Sequence, residues 1–533
     1  MITYPSKILC IILLLIVNLA FAQTRQKSPV SSSDEGENTF LRGTIRNYRL
    51  QPLYLFKCHT DTLLLVDSTM TNNQGKFSFS KARARVEVVN SGGLYKIALK
   101  GDQFFEILYD PAQENAALEN GIEIRTLFYN SPYYNIATDS LEVVRSEVNK
   151  TFYQFQRLQF QYNIANYYLL GMLKQYPPTD PFHRKIEDEY LNRFKKMDSF
   201  IKGLNAKKTG GNGGSNLEKL YALAYYIPVN PEWKLPDDVR DSIIADHFFD
   251  VFNPAHPFYL NTNVLPEMME SYLSYRTNKR DANNQPIKDE VLFASAAVDF
   301  INKTTGDKQQ SIANGNESFR FCLNYYLKKF GKDHQDNAFM ILYDKYFNNV
   351  DGDCGSFETD QFTWARKKAS VLRGVQSGSI APDFALPNLS QSGQQNHALN
   401  LVSVKSKYTL LVFWATWCPH CAIAIPELKH GTDSINSNQT ILAIVAVSLD
   451  TERAAWLKYI KDKKLDQSPK LPENSGLGSW INTSELKGWK GEIHKQYNVF
   501  ATPTMFLLDN SKKIIAKPDT PQELFRFMKT VGR

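Results

Sequence analysis

Apolar positions change their spacing twice along the chain. Between Phe40 and about Phe128 they come in short runs, Leu53–Lys57, Leu63–Val66, Phe77–Phe79, Val86–Val89, Tyr95–Leu99 and Phe104–Tyr109. Turn clusters such as Asn72-Asn73-Gln74-Gly75 and Ser91-Gly92-Gly93 separate them. Runs of this kind predict strands, and their close succession predicts an antiparallel β-sandwich over residues 39–130. From residue 138 to 374 the period lengthens to that of helices. Asp180-Pro181 supplies an N-cap followed by proline at the first helical position. Ile186, Tyr190, Phe194, Met197 and Ile201 then recur on one face before Gly203. A second helix is predicted from Glu317 to Phe330, ending at Gly331. The region is read as an all-α domain, its aromatics (Tyr153, Phe155, Phe160, Tyr162) as core, and Thr209–Ser215 as an exposed loop.

Residues 375–533 alternate the two patterns. Tyr408–Trp414 and Ile441–Leu449 read as buried strands, and helices open over Ala422–Lys429 and Glu452–Lys463. Thr504–Leu508 and Lys513–Ala516 form a hairpin around Asp509-Asn510, and Pro521–Val531 a closing helix. This order predicts an α/β domain with helices on both faces of a sheet. The whole is multidomain, since 533 residues exceed what one core serves.

The N-terminus changes the context of everything after it. Lys7, the apolar run Ile8–Ala20 and the small-x-small group Ala20-Phe21-Ala22 read as a signal peptide over residues 1–22, with a Ser-rich linker over 23–38. An uncleaved anchor is the alternative, but the run is short for a span of about 20 residues. With no second long apolar run, the mature chain is expected to carry no integral membrane segment, and export to the periplasm or cell envelope follows. The net charge of +7 is scattered rather than gathered on one stretch, which argues against a nucleic-acid partner.

Export bears on the six cysteines. Cys10 leaves with the leader, and five remain, an odd number that does not describe a disulfide framework. Cys58, in an apolar strand, reads as packing; Cys322 and Cys354 either pair or are separate buried thiols. Asp351-Gly-Asp353 lacks the rest of a calcium loop and reads as a turn.

Cys418-Pro419-His420-Cys421 lies where the strand ending at Trp414 gives way to a helix. The thiolate is the reactive form, and the positive end of a helix lowers its pKa. Cys418 is thus the expected nucleophile, exposed at the helix N-terminus, with Cys421 one turn on as the resolving thiol. The pair itself is the redox centre, and no other cofactor is called for. A zinc half-site needs two further ligands, and neither a second Cys-x-x-Cys nor His430 and His494 supply them at a typical spacing, so no metal is assigned. His420, as imidazolium, would favour the thiolate and make the disulfide more oxidising.

The segment resembles the periplasmic thioredoxin-like group that includes the TlpA and ResA types. The matching residues are Ala381-Pro382-Asp383-Phe384-Ala385-Leu386, Phe413-Trp414-Ala415-Thr416-Trp417-Cys418, and Ala501-Thr502-Pro503-Thr504. The likeness implies that Pro503 is a cis-proline facing the pair, that Thr502 and Pro503 bind an extended substrate strand, and that Trp417 belongs to the site. It also implies protein thiols and disulfides of the envelope as partners, with an upstream protein as electron donor or acceptor. The residues 39–130 and 138–374 resemble regions attached to such envelope proteins. One departure stands out: thioredoxins proper carry a buried aspartate where this chain has Val412. Three rival readings are a thiol oxidant, suggested by Pro419-His420; a binding or scaffold protein with an accessory thioredoxin fold; and a peroxidase of the peroxiredoxin kind, whose signature needs a threonine where Ala415 stands.

Overall fold

The computed structural model describes residues 39–80, 92–111, 121–131, 135–206, 216–280, 287, 289–305, 316–347, 362–386, 399–437, 441–469 and 478–531. The expected leader 1–22, linker 23–38, strand Val86–Val89, loop Thr209–Ser215, Asp351-Gly-Asp353 turn and Cys354 fall outside them. The chain forms two compact units, residues 1–342 and 343–533.

Among the described residues the first unit opens with eight strands: β1 (Thr39–Arg46), β2 (Pro52–His59), β3 (Thr62–Met70), β4 (Lys76–Ser80), β5 (Gly93–Ala98), β6 (Phe104–Tyr109), β7 (Ile122–Leu127) and β8 (Glu142–Arg145). They make two four-stranded sheets of order β4-β1-β7-β8 and β3-β2-β5-β6. Phe40 of β1 meets Tyr95 and Tyr109 of the other sheet at ring-centroid distances of 5.3 and 4.7 Å, so the two inner faces share one core. The β1–β7 pair is parallel, with Leu41 opposite Ile122, a departure from the antiparallel expectation. These strands are separated by the whole second sheet, so no hairpin dictates their direction.

Among the described residues seven α-helices follow: α1 (Glu147–Gln175), α2 (Pro181–Ala206), α3 (Leu217–Tyr225), α4 (Asp237–Asp246), α5 (Val264–Thr277), α6 (Glu290–Thr305) and α7 (Glu317–Lys332). Helix α1 covers the free edge of β6 with polar groups at strand spacing. Asn149 exchanges two 2.8 Å hydrogen bonds with the backbone of Leu108, and the Tyr153 hydroxyl donates to the Glu106 carbonyl at 2.7 Å. Residues four apart on the helix thereby satisfy residues two apart on the strand, and the edge is closed to further pairing. Asp180 Oδ1 accepts from Phe182 N at the start of α2, and Ile186, Tyr190, Met197 and Ile201 are buried. The helix runs past Gly203 to Ala206 because Leu204 still has a buried place to fill. Phe160, assigned to the core by sequence, is 61% exposed on α1.

The division at Leu342 falls inside α8 (Asp336–Phe347), and α9 (Thr363–Gly374) lies in the second unit. There a short pair, β9 (Ala385–Leu386) and β10 (Leu399–Asn400), precedes a five-stranded sheet. Its members are β11 (Tyr408–Trp414), β12 (Leu442–Ser448), β13 (Trp480–Ser484), β14 (Thr504–Asp509) and β15 (Ile514–Ala516), in the order β13-β12-β11-β14-β15. β11, β12 and β13 are parallel, while β14 and β15 run against them. Every residue of β11 and β12 is buried, the pattern of strands covered on both faces.

Alternation assigns the faces. Leu410, Val412 and Trp414 join one cluster, with side chains of α10 (Pro419–Ile435), α11 (Arg453–Asp462) and α12 (Pro521–Val531). Leu411 and Phe413 join the other, with Phe384, Leu401, Ile493 and Tyr497. Helices thus lie on both faces as expected, but unequally. All three of these helices serve the Val412 face, while the second is covered by the one-turn helix Ile493–Gln496 and by the Ala381–Phe384 segment, whose Pro382 carbonyl accepts from the Tyr497 hydroxyl at 2.5 Å.

Candidate active site

The site is assembled where β11 stops. The Trp414 carbonyl accepts from Leu449 N at 2.8 Å, and Ala415 O accepts from Cys418 N at 3.3 Å, which turns the chain into α10. Asp450, just past β12 and 2% exposed, fixes that turn. Its carboxylate accepts from Thr416 N at 3.1 Å, from the Thr416 hydroxyl at 2.5 Å and from the Ser448 hydroxyl at 2.6 Å. Sequence reasoning missed this residue, whose buried side chain pins the approach to Cys418 through these hydrogen bonds. The only signal was an aspartate directly after an apolar strand.

Cys418 is the N-cap of α10, and Pro419 is its first helical residue. Its sulfur accepts from Cys421 N at 3.3 Å and lies 3.2 Å from the Thr502 carbonyl, to which the thiol donates. The Thr502–Pro503 peptide is cis. Cys418 is only 6% exposed, which corrects the expectation of an exposed thiol: the Thr502 backbone and the first helical turn enclose it. Cys421 is fully buried.

The two thiols are driven apart electrostatically. Burial alone would raise Cys418, but hydrogen bonds from the side chains of Cys421 and Thr502, and from the backbone N–H groups of Cys421 and His420, outweigh it and hold the thiol below its ordinary range. Burial pushes Cys421 up to about 12, and the hydrogen bond with Cys418 adds to the rise. One sulfur is thus prepared to attack as thiolate while its neighbour keeps its proton.

Among the remaining expected site residues, Trp417 is 55% exposed beside the thiol. His420 is also exposed, and reaches Cys418 through its backbone N–H. Cys58 and Cys322 are free, buried thiols, both raised by burial. Among the described residues no three His, Cys, Asp or Glu side chains gather in a way that could hold a metal ion, and no helix is long and apolar enough to cross a membrane.

Three comparisons bear on this geometry. A family model described as the AhpC/TSA family matches residues 377–517. The thioredoxin-like protein YneN of Bacillus subtilis is 30% identical over 147 residues, 28% of this chain and 71% of YneN. The thiol-disulfide oxidoreductase ResA of Bacillus cereus is 26% identical over 173 residues, 32% of this chain and 87% of that protein. Among solved structures, a thioredoxin-like protein from Bacteroides caccae aligns at a TM-score of 0.33 and 18% identity, covering 57% of this chain and 98% of its own. The relationship to ResA is distant and confined to part of the chain, whose C-terminal domain is a thioredoxin-like oxidoreductase domain with the pair Cys418 and Cys421.

Proposed function

The chain belongs to the thioredoxin-like proteins through its C-terminal domain, and on that premise we propose that it is an exported thiol–disulfide oxidoreductase acting on protein substrates in the periplasm or cell envelope. The observation that carries this is the opposed tuning of two thiols on one helical turn, Cys418 lowered and Cys421 raised to about 12. The Cys418 thiolate attacks a substrate disulfide, giving a mixed disulfide and one released substrate thiolate. Cys421 then attacks Cys418, the Cys418–Cys421 disulfide forms, and the second substrate sulfur leaves and takes up a proton. Two electrons pass to the substrate, and an upstream protein restores the dithiol. Thr502 and Pro503 offer backbone to an extended substrate strand, and Trp417 supplies apolar contact beside it. The working direction is reduction or general exchange, with His420 tuning the thiolate. A peroxidase role is disfavoured by Ala415, which has no hydroxyl to offer three residues before Cys418.

Trapping tests the proposal. In the full chain, Cys421→Ala stops resolution, so Cys418 is expected to accumulate envelope proteins as mixed disulfides, while the unaltered protein reduces insulin. No trapped partner together with an inert insulin assay overturns the reading. A reduction potential in the range of strong oxidants would reverse the direction while keeping the chemistry.

A further inference from the structure

Phe160 is not alone in its exposure on α1. Ile164, Tyr167 and Tyr168 are 43%, 62% and 64% exposed, and all four share one face of the helix. Phe160, Ile164 and Tyr168 form a ridge at four-residue spacing, and Tyr167 with Gly171 forms the row beside it. A Cβ on Gly171 would meet nothing within 4 Å, so that row is open to a neighbouring helix. The opposite side of the same turns is occupied: Leu169 and Leu173 pack with Ile186 and Tyr190 of α2. Helix α1 is therefore apolar on two opposite faces, one of them uncovered among the described residues. A helix apolar on all sides belongs in an interior.

Charge narrows what can cover that face. No charged residue or histidine occurs from Leu158 to Leu173. Charges at its margin are engaged within the chain: Lys174 with Asp237 at 2.7 Å, and Arg193 with Glu189 at 2.7 Å and with the Gln161 carbonyl at 3.3 Å. An uncharged stripe gives an acidic or basic partner nothing to read, and against a second copy of itself it meets no like charge. A helix lying flat on a lipid surface carries lysine and arginine on the face away from the lipid, whereas here that face is packed on α2. The area agrees. Three aromatic side chains about three-fifths exposed, together with the isoleucine, present on the order of 500 Å². A stable interface takes about 800 Å² from each partner, with an aromatic centre depleted of charge and a polar rim. The stripe supplies such a centre, and the engaged charges beside it supply the rim.

We propose that this face of α1 is where two copies of the protein meet, α1 packing against α1 of a second copy about a two-fold axis near Ile164. The two helices then run antiparallel, so their dipoles oppose. Phe160 of each copy lies against Tyr168 of the other, as an isologous contact requires. Interdigitation of the two four-residue ridges sets a crossing angle of about −50°. The inference concerns assembly and is independent of the thiol chemistry proposed above.

Sedimentation equilibrium of the chain without its leader, residues 23–533, is expected to give twice the mass of one chain at about 20 μM. Ile164→Arg sets two guanidinium groups against each other across the axis and should weaken association about a hundredfold. Tyr168→Ala, which removes an aromatic anchor, should weaken it about tenfold. Both variants are expected to keep the circular dichroism and the insulin reduction of the unaltered protein, because both side chains are exposed in the single chain. An unaltered chain still monomeric at about 100 μM overturns the inference, and so does a dimer whose strength neither variant changes. Should Ile164→Arg misfold, Tyr168→Ala decides. A monomeric unaltered chain that binds phosphatidylglycerol vesicles, and loses that binding with Tyr168→Ala, would assign the stripe to lipid and likewise overturn the inference. In each of these cases insulin reduction reports separately on the dithiol reading.

Discussion

Cys418 and Cys421 are one helical turn apart, and their environments nevertheless pull them in opposite directions. The first shares its sulfur with the helix N–H groups, whereas at the second burial and the neighbouring sulfur outweigh the hydrogen bonds from the Ala415 backbone and Thr502. Reactivity of the reduced protein toward iodoacetamide should follow the same division. Cys418 is expected to be modified with a midpoint below the ordinary thiol value of 9.0, because its charged form is favoured in the fold. Cys421 should stay unmodified through that range, since its thiol persists to about pH 12. Peptide mapping after brief labelling at stepped pH checks both; equal labelling of the two cysteines would contradict the electrostatics. The motif was legible because its residues are contiguous. The enclosure of Cys418 was not, because it depends on the Thr502 carbonyl, which arrives from a different strand connection. Nor was Asp450, whose partners Thr416 and Ser448 come together only when β11 and β12 pair.

Helix α10 has to present Cys418 at its first turn and still lie close on the sheet. Two of its residues answer local demands: Pro419 starts the helix, and Pro426 sits inside it, where the missing N–H interrupts the ladder. A third answers a tertiary one. A Cβ on Gly431 would lie 2.1 Å from Cζ of Phe525, so any side chain there has to displace that half-buried ring of α12. Gly431→Ala is expected to destabilise the protein by about 1–3 kcal/mol despite the better helix propensity of alanine, read as a lower urea midpoint. Adding Phe525→Ala should return part of the loss, which a double-mutant cycle would register as coupling. Sequence pattern located most elements because apolar spacing is local. It misjudged the length of α2 at Gly203, because whether a helix continues through a glycine is decided by neighbours far away in the chain.

At the scale of the whole molecule, the redox pair occupies the unit 343–533, which has a sheet with a core cluster on each face. The other unit carries a β-sandwich joined to aromatic-rich helices, and its two described cysteines, Cys58 and Cys322, are buried with their thiols raised by burial. Neither of these two described thiols is prepared for exchange, so a role of this unit in partner choice is what truncation tests. A chain cut to residues 336–533, which keeps α8 whole, is expected to fold and to let Cys418 react with 5,5′-dithiobis(2-nitrobenzoate) at the rate of the full protein. That probe is small and needs no docking surface. The same truncation carrying Cys421→Ala should capture fewer of the proteins that full-length Cys421→Ala retains. Equal capture by the two would mean that the sandwich and the helices play no part in selecting substrates. Loss of the small-probe reaction on truncation would mean instead that the thioredoxin-like unit depends on the rest of the chain for its own integrity.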